Sequence, residues 1–462
     1  MSDEKKLTEE ELRKKAELPS RQAVVWHPFY KGKIEVMAKA AIPDFNAFGV
    51  WYTPGVAAAC REIQKKPELS YEHTNRANTI AVVSDGTRVL GLGDIGPAAG
   101  MPVMEGKSLL FKYLGGVDAV PLCVDTKDPD KIIEFVELIA PSFAGINLED
   151  ISQPKCFYVL DTLRENNIKK KLGLCIWHDD QQGTASITVA AAINALKLVG
   201  KKKEEAIISL NGAGAANIAI SRVLIAAGFP IKNMIMCDSK GILSPDRADQ
   251  FDPNDWQKFP DKYKMCTESN KEGRSGDLMK AVEGTDMLIS CSVPKPGTID
   301  PKHIKAMADK SIVFACANPL PEIYPWTAKE AGAYIVATGR SDFPNQVNNS
   351  LGFPGIFRGA LDVRATTITD EMTIAAALEI AKTAEEADYF DEEHIVPTMD
   401  DWQVFPREAV AVGLKAIEQG VARLKFSGEE LFKMAEEKIR ATRDKTQFLM
   451  KNKFILMPPK VE

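Results

Sequence analysis

AIISLNGAGAANIAISRVLIAAG, residues 206–228, is the stretch that decides the fold. AIISL (206–210) is short and apolar, as a strand buried in a parallel sheet is. NIAISRVLIAAG (217–228) carries its apolar residues at helical spacing. Between them GAGAAN (212–217) makes a glycine turn, and a strand-to-helix turn of this kind leaves free N–H groups at the helix amino terminus, where a pyrophosphate can sit. The next strand, MIMCD (234–238), closes on Asp238, near the ~20-residue offset at which a carboxylate accepts a ribose hydroxyl. A glycine pair after a strand can be only a turn. With strand, helix and acid all in place, Gly212, Gly214, Ala215, Ala216, Asn217 and Asp238 read as a dinucleotide site. Ser239 and Lys240 follow directly and suit a 2′-phosphate. Asp238 argues for NAD and the Ser-Lys pair for NADP, and the reading leans to NADP. Asn217 replaces a small residue, which predicts slightly wider helix-to-strand packing.

Working outward, GLGDIG (91–96) fits the glycine spacing better and the context worse. Pro97, Ala98, Ala99, Gly100 and Pro102 follow it and oppose an immediate helix, so it reads as a loop. SITVAAAINALKLVG (186–200) reads as a helix, and DMLIS (286–290), SIVFACAN (311–318) and AYIVAT (333–338) as further buried strands. The fold class is α/β, with a Rossmann-type doubly wound parallel sheet. Upstream, TIAVVSD (79–85) and VDAVPLCVD (117–125) alternate with the helical KIIEFVELIAPSF (131–143), giving a second, amino-terminal α/β domain. Residues 1–20 read as a solvated helix. Beyond 360 come three helical patterns, at 368–384, 407–424 and 427–445. The division is 1–155 for the amino-terminal domain, 156–385 for the dinucleotide domain and 386–462 for the carboxy-terminal helices.

The balance of 58 Lys+Arg against 64 Asp+Glu, net charge -6, is not that of a nucleic-acid binder. Eight scattered cysteines without a CxxC pair read as free buried thiols in a reducing compartment. No apolar run reaches the ~18 residues that span a bilayer, and the charged amino terminus is no signal peptide. The expectation is a cytoplasmic protein without nucleic-acid or membrane partners.

Two acidic pairs stand out, Glu149-Asp150 and Asp179-Asp180. Acidic dipeptides are commonly solvated helix caps. These are flanked by Ile146, Leu148, Ile151, Ile176 and Trp177, which puts them at strand ends where an unpaired acid is costly. Mg2+ or Mn2+, hard cations that take oxygen ligands, would suit them. His178 reads as structural rather than as a ligand.

In order, WYTPGVA (51–57), VVSDGTRVLGLGDIG (82–96), MEGKSLLF (104–111), NLEDI (147–151), HDDQQGTA (178–185), GAGAAN (212–217), ANPLPEI (317–323) and NNSLGFPG (348–355) resemble the motif series of malic enzymes, across roughly residues 20–425. The form is similar to the compact, bacterial-type branch, with no phosphotransacetylase-like extension. The resemblance implies oxidative decarboxylation of L-malate to pyruvate and CO2 with NAD or NADP and Mg2+ or Mn2+. It implies Tyr52 as general acid and Lys107 as general base. Glu149, Asp150 and Asp180 are then metal ligands, with Asp179 close by. Arg88, Asn318 and Asn349 bind malate, Asn318 also binds the cofactor, and the assembly is a homodimer. CSVPKPG (291–297) departs from the family's more glycine-rich turn beside the nicotinamide.

The chemistry suits these residue types. Hydride leaves C2 of malate once the hydroxyl proton is taken, and a lysine takes it only when neutral, a state favoured by burial and a nearby cation. Two alternatives stay open: a metal-independent NAD(P) dehydrogenase of the amino-acid or folate type without decarboxylation, and a catalytically silent homologue. The three carboxylates speak against the first. Tyr52 and Lys107 speak against the second.

Overall fold

Ile80 and Val82 face one side of a buried strand and Ala81 and Val83 the other, the alternation of a strand covered on both faces. This strand, β1 (Thr79–Ser84), belongs to a sheet with β2 (Asp118–Cys123), β3 (Gly145–Leu148) and β4 (Cys175–His178), in the order β2-β1-β3-β4. All its pairings are parallel. The structure is a computed structural model, describing residues 9–340 and 342–461. On one face of the sheet, Phe111 of helix Gly96–Gly115 and Phe353 and Phe357 of helix Phe353–Asp362 pack on Ile80, Val82 and Trp177. Helices Pro129–Ile139 and Lys155–Lys169 cover the other face through Ile132, Val136, Val159 and Leu163. A boundary at 155 would cut this unit, because β4 joins it from 175–178. A short apolar run reveals that a strand is buried, not which sheet it joins.

The second sheet contains β5 (Ile208–Asn211), β6 (Met234–Asp238), β7 (Gly241–Ile242), β8 (Met287–Ser290), β9 (Ile312–Ala315) and β10 (Ile335–Thr338). Its order is β10-β9-β8-β5-β6-β7, parallel except for the β6–β7 hairpin. Strand order reverses at β5, and the glycine turn of 212–214 follows that strand, where an open α/β sheet forms its ligand crevice. Helices Thr184–Val199 and Ala215–Ala226 cover one face.

The GLGDIG segment is a loop from Gly91 to Ile95, but helix Gly96–Gly115 starts on its last glycine. Pro97 sits in the first turn, where its missing N–H costs nothing. The carboxy-terminal helices, Asp370–Glu385, Val404–Glu418 and Gly428–Lys451, do not form a layer of their own. Val412, Ala416 and Leu431 join the first sheet's core, while Ile380, Phe405 and Ile439 join the second's. At the amino terminus a helix runs from Glu9 to Tyr30; the rest of the predicted 1–20 helix, residues 1–8, lies outside the described residues. All eight cysteines are free, yet Cys60 is exposed and Cys123 and Cys291 are half-buried, so the expectation of buried thiols holds for five. Among the described residues no helix is long and apolar enough to cross a membrane.

Candidate active site

Leu148 pairs with His178 in parallel register, so the residues following β3 and β4 leave the sheet side by side. That register brings the two acidic pairs together. Glu149, Asp150 and Asp180 each offer an oxygen within 4.8 Å of the others'. The Asp150 N–H donates to Asp180 Oδ2 at 2.8 Å, and Asn147 Nδ2 donates to Glu149 Oε2 at 2.8 Å. Asp150 Oδ2 is buried without a partner. Asp150 also holds φ +54°, a left-handed conformation that non-glycine residues rarely adopt. Burial, then the Asp180 charge, pushes the Asp150 carboxyl up to about 8. Burial likewise raises Glu149 and Asp180. An orphaned oxygen among crowded, buried acids fits a divalent cation held by these three side chains, and the all-oxygen donor set suits Mg2+ or Mn2+.

Lys107 lies midway along helix Gly96–Gly115, and it is buried. Its Nζ lies 2.6 Å from Asp179 Oδ2, 3.0 Å from Glu149 Oε1 and 4.4 Å from the centre of the Phe353 ring. Burial pulls its pKa down, but Asp179 and then Glu149 outweigh burial and the net shift is upward. Trp177 Nε1 donates to Asp179 Oδ1 at 3.1 Å, so Asp179 is held from both sides. A single π-type turn, Asp179–Gly183, carries the second acidic pair. A Cβ on Gly183 would fall 1.9 Å from Asp179 Oδ1 and 3.3 Å from Asn349 Cβ, so glycine lets the Asn349 segment close over the acids. His178 is buried with Nδ1 3.7 Å from Asp180 Oδ2, and burial lowers its pKa to about 4, leaving a neutral ring in the wall.

The Arg88 N–H donates to Asp150 O at 3.0 Å, which puts this exposed arginine at the rim. Asn318 follows β9. A Cβ on Gly91 would come within 2.8 Å of Asn318 O and 2.3 Å of Pro294 Cγ, so the GLGDIG loop of the first sheet closes against loops of the second. Lys107, Arg88, Asn318, Asn349 and the acids thus converge between the sheets. Tyr52 does not join them. It follows the short helix Ala47–Trp51, is 73% exposed, and among the described residues makes no hydrogen bond to Lys107 or the acids.

At the dinucleotide end, Gly214 caps helix Ala215–Ala226, and a Cβ there would meet nothing within 4 Å. That open space is the cradle a pyrophosphate needs. Gly212 holds φ +97°, and a Cβ on it would lie 2.6 Å from Cys291 O. Asn217 is buried, and its Nδ2 donates to Asn211 O and Gly212 O, both at 2.8 Å. It braces the turn from behind rather than facing a ligand. Asp238 Oδ2 accepts from Arg247 Nη2 at 2.8 Å and lies 3.8 Å from Lys262 Nζ, while Oδ1 accepts from the Lys240 N–H at 2.9 Å. Ser239 and Lys240 are exposed beside it. The sequence reading does not find Arg247 or Lys262. It also omits Glu322, a buried carboxylate that accepts from Ser290 Oγ at 2.7 Å, Ser292 N at 2.8 Å and Ala317 N at 3.1 Å. Glu322 thereby ties the CSVPKPG loop to the Asn318 loop. Its place inside ANPLPEI was the only signal.

A doubly wound dinucleotide domain facing a cluster of acids and a buried lysine defines a two-domain, nicotinamide-dependent oxidoreductase. Family models match in two blocks: the malic enzyme N-terminal domain over residues 31–164 and the malic enzyme NAD binding domain over residues 181–417. The chain belongs to the malic enzyme family. It is 45% identical over 410 residues to the bifunctional malic/malolactic enzyme of Bacillus subtilis, spanning 89% of this chain and 96% of that one. It is 47% identical over 392 residues to the NAD-dependent malic enzyme of Geobacillus stearothermophilus, spanning 85% and 78%. The crystal structure of Entamoeba histolytica malic enzyme superposes with a TM-score of 0.94 at 47% identity, over 98% of this chain and 93% of that one. Other relatives are named as NADP-dependent.

Proposed function

We propose that this protein converts L-malate to pyruvate and CO2 while reducing a nicotinamide cofactor, with Lys107 as base beside a divalent metal held by Glu149, Asp150 and Asp180. The observation that carries this reading is the buried Lys107 within hydrogen-bond reach of two members of the acidic cluster. Mg2+ or Mn2+ bound at the three acids would supply Lewis acidity toward the substrate oxygens. Arg88 grips the distal carboxylate, and Asn318 and Asn349 orient malate between the sheets. Lys107 takes the C2 hydroxyl proton at Nζ, and Asp179 holds that nitrogen in place. Tyr52 returns a proton to C3 after CO2 has left.

Tyr52 cannot play that part from an exposed position in its own chain. The segment around it leaves Val36, Met37, Phe45 and Trp51 exposed, as are Phe454 and Met457 at the other terminus. Exposed apolar side chains gathered along one segment mark an interface. The reading is therefore a homodimer in which this segment lies on the second copy and delivers Tyr52 to that copy's Lys107.

NADP is the favoured cofactor. Asp238 is already engaged by Arg247, by Lys262 and by the Lys240 N–H, so three cations surround one carboxylate and the ribose end is net positive. Free thiols accord with a reducing cytoplasm. The test is product analysis with L-malate, Mn2+ and NADP. Pyruvate, CO2 and NADPH in equal amounts are expected, whereas NADPH without pyruvate would leave a simple dehydrogenase.

A further inference from the structure

β1 and β3 run parallel with Val83 opposite Leu148, so the turn after β1, residues 85–88, leaves the sheet beside the turn of 149–152 that carries Glu149 and Asp150. The two are bonded on both sides of Asp150. The Arg88 N–H donates to Asp150 O at 3.0 Å, and the Ser152 N–H donates to Thr87 Oγ1 at 3.0 Å. Between those bonds Asp150 holds φ +54°, and an L-residue keeps that conformation only where its surroundings over-determine it. The Thr87 hydroxyl is buried and aimed: it donates to Asp85 Oδ1 at 2.6 Å, which leaves its lone pairs for the Ser152 N–H. Asp85 is held in turn. Its Oδ1 also accepts from the Thr87 N–H at 3.1 Å, and its Oδ2 pairs with Lys155, the first residue of helix Lys155–Lys169. With its charge matched by Lys155, Asp85 is no fourth ligand. On the other side, Gly86 O accepts from the Ile95 and Gly96 N–H groups at 3.2 and 3.1 Å, so the turn of 85–88 is anchored to the start of the helix that carries Lys107. Among the described residues, neither Asp85 nor Thr87 bonds a carboxylate of Glu149, Asp150 or Asp180.

We propose that Thr87 is a positioning residue for the metal. Aimed by Asp85, its hydroxyl joins the Arg88 N–H in holding Asp150 in the left-handed conformation, and that conformation keeps the Asp150 carboxylate beside Glu149 and Asp180. Thr87 touches neither substrate nor metal and acts only through the backbone of Asp150. Without the hydroxyl, the Ser152 N–H loses its acceptor and Asp150 is free to rotate toward negative φ, which carries its carboxylate away from the other two. The same turn carries Arg88, so the metal and the distal carboxylate of malate are set from one piece of backbone. This inference rests on the reading of the three acids as a metal site and deepens it.

Mn2+ is the probe, titrated into the full-length enzyme without malate or cofactor and followed by the electron paramagnetic resonance of the free ion. Partners that orient a metal's ligands are worth about ten- to a hundredfold in affinity, so Thr87→Val, which keeps the shape and loses the hydroxyl, is expected to bind Mn2+ at least about tenfold more weakly than the parent. Thr87→Ala loses the hydroxyl too and is expected to do the same. Thr87→Ser keeps it and is expected to stay within about twofold of the parent. A hydroxyl that served the fold alone would lower the melting temperature and leave the Mn2+ affinity of the folded enzyme at the parent value. That result for Thr87→Val and Thr87→Ala overturns the proposal, as does a Thr87→Ser enzyme weakened as much as Thr87→Val. A parent enzyme that binds no Mn2+ overturns the metal site itself, whereas a parent that binds it, with Thr87→Val and Thr87→Ala unchanged, overturns only the positioning role.

Discussion

Lys107 Nζ and Asp179 Oδ2 lie 2.6 Å apart, 72 residues distant in sequence and both buried. Without a cation, the acids around it keep the ammonium charged. Charge that a divalent metal draws from Glu149 and Asp180 is charge no longer stabilising the ammonium, so base function and metal site are one device.

Metal removal follows directly. EDTA is expected to abolish malate-dependent NADP reduction, and Mn2+ or Mg2+ to restore it, as followed by NADPH absorbance. Undiminished turnover in EDTA, with no metal found by elemental analysis, would remove the role given to the three acids.

Gly214→Val separates fold from cofactor. Nothing lies within 4 Å of a Cβ at this position, so the free chain accommodates the branched side chain, and only the approaching pyrophosphate meets it. Overpacking of about 1–3 kcal/mol corresponds to roughly ten- to a hundredfold weaker NADP binding with an unchanged melting temperature. Unaltered cofactor affinity by fluorescence titration would point back to GLGDIG as the fingerprint.

Much of this was legible in the sequence, for identifiable reasons. Buried parallel strands are short apolar runs, so the sheet around 206–228 and the sheet around β1 both announce themselves. β4 did not declare its sheet, because CIWH looks the same in either. The acids were legible as pairs at strand ends, but their meeting depends on the Leu148–His178 register, which no local pattern encodes. Arg247 and Lys262 reach Asp238 from segments outside the glycine motif, and Glu322 acts across two loops. Tyr52 is legible by motif, yet one chain alone does not bring it to Lys107.

Arg247→Ala combined with Lys262→Ala tests the cofactor preference. Charge-assisted hydrogen bonds are worth about 1.5–3 kcal/mol, so the KM for NADP is expected to rise roughly ten- to a hundredfold. Asp238, freed of Arg247, can accept a ribose hydroxyl, and NAD should gain or hold. Equal losses for both cofactors in steady-state kinetics would exclude a 2′-phosphate role.

Subunit mixing tests the placement of Tyr52. Tyr52→Phe and Lys107→Ala chains, each inactive as a homodimer, are unfolded and refolded together. If Tyr52 acts across the interface, each mixed dimer regains one intact site and activity recovers to about a quarter of the parent's, half the dimers being mixed with half their sites restored. If Tyr52 serves its own chain, every site stays defective and no activity returns.

The most direct measurement concerns the base itself. Decarboxylation of added oxaloacetate has no hydroxyl proton to remove, whereas malate oxidation begins with one. Lys107→Ala, metal-loaded and folded, is expected to lose malate oxidation by about two to four orders of magnitude while keeping far more of its oxaloacetate decarboxylation. A Lys107→Ala enzyme that oxidises malate at the parent rate would contradict the assignment of Lys107 as the base.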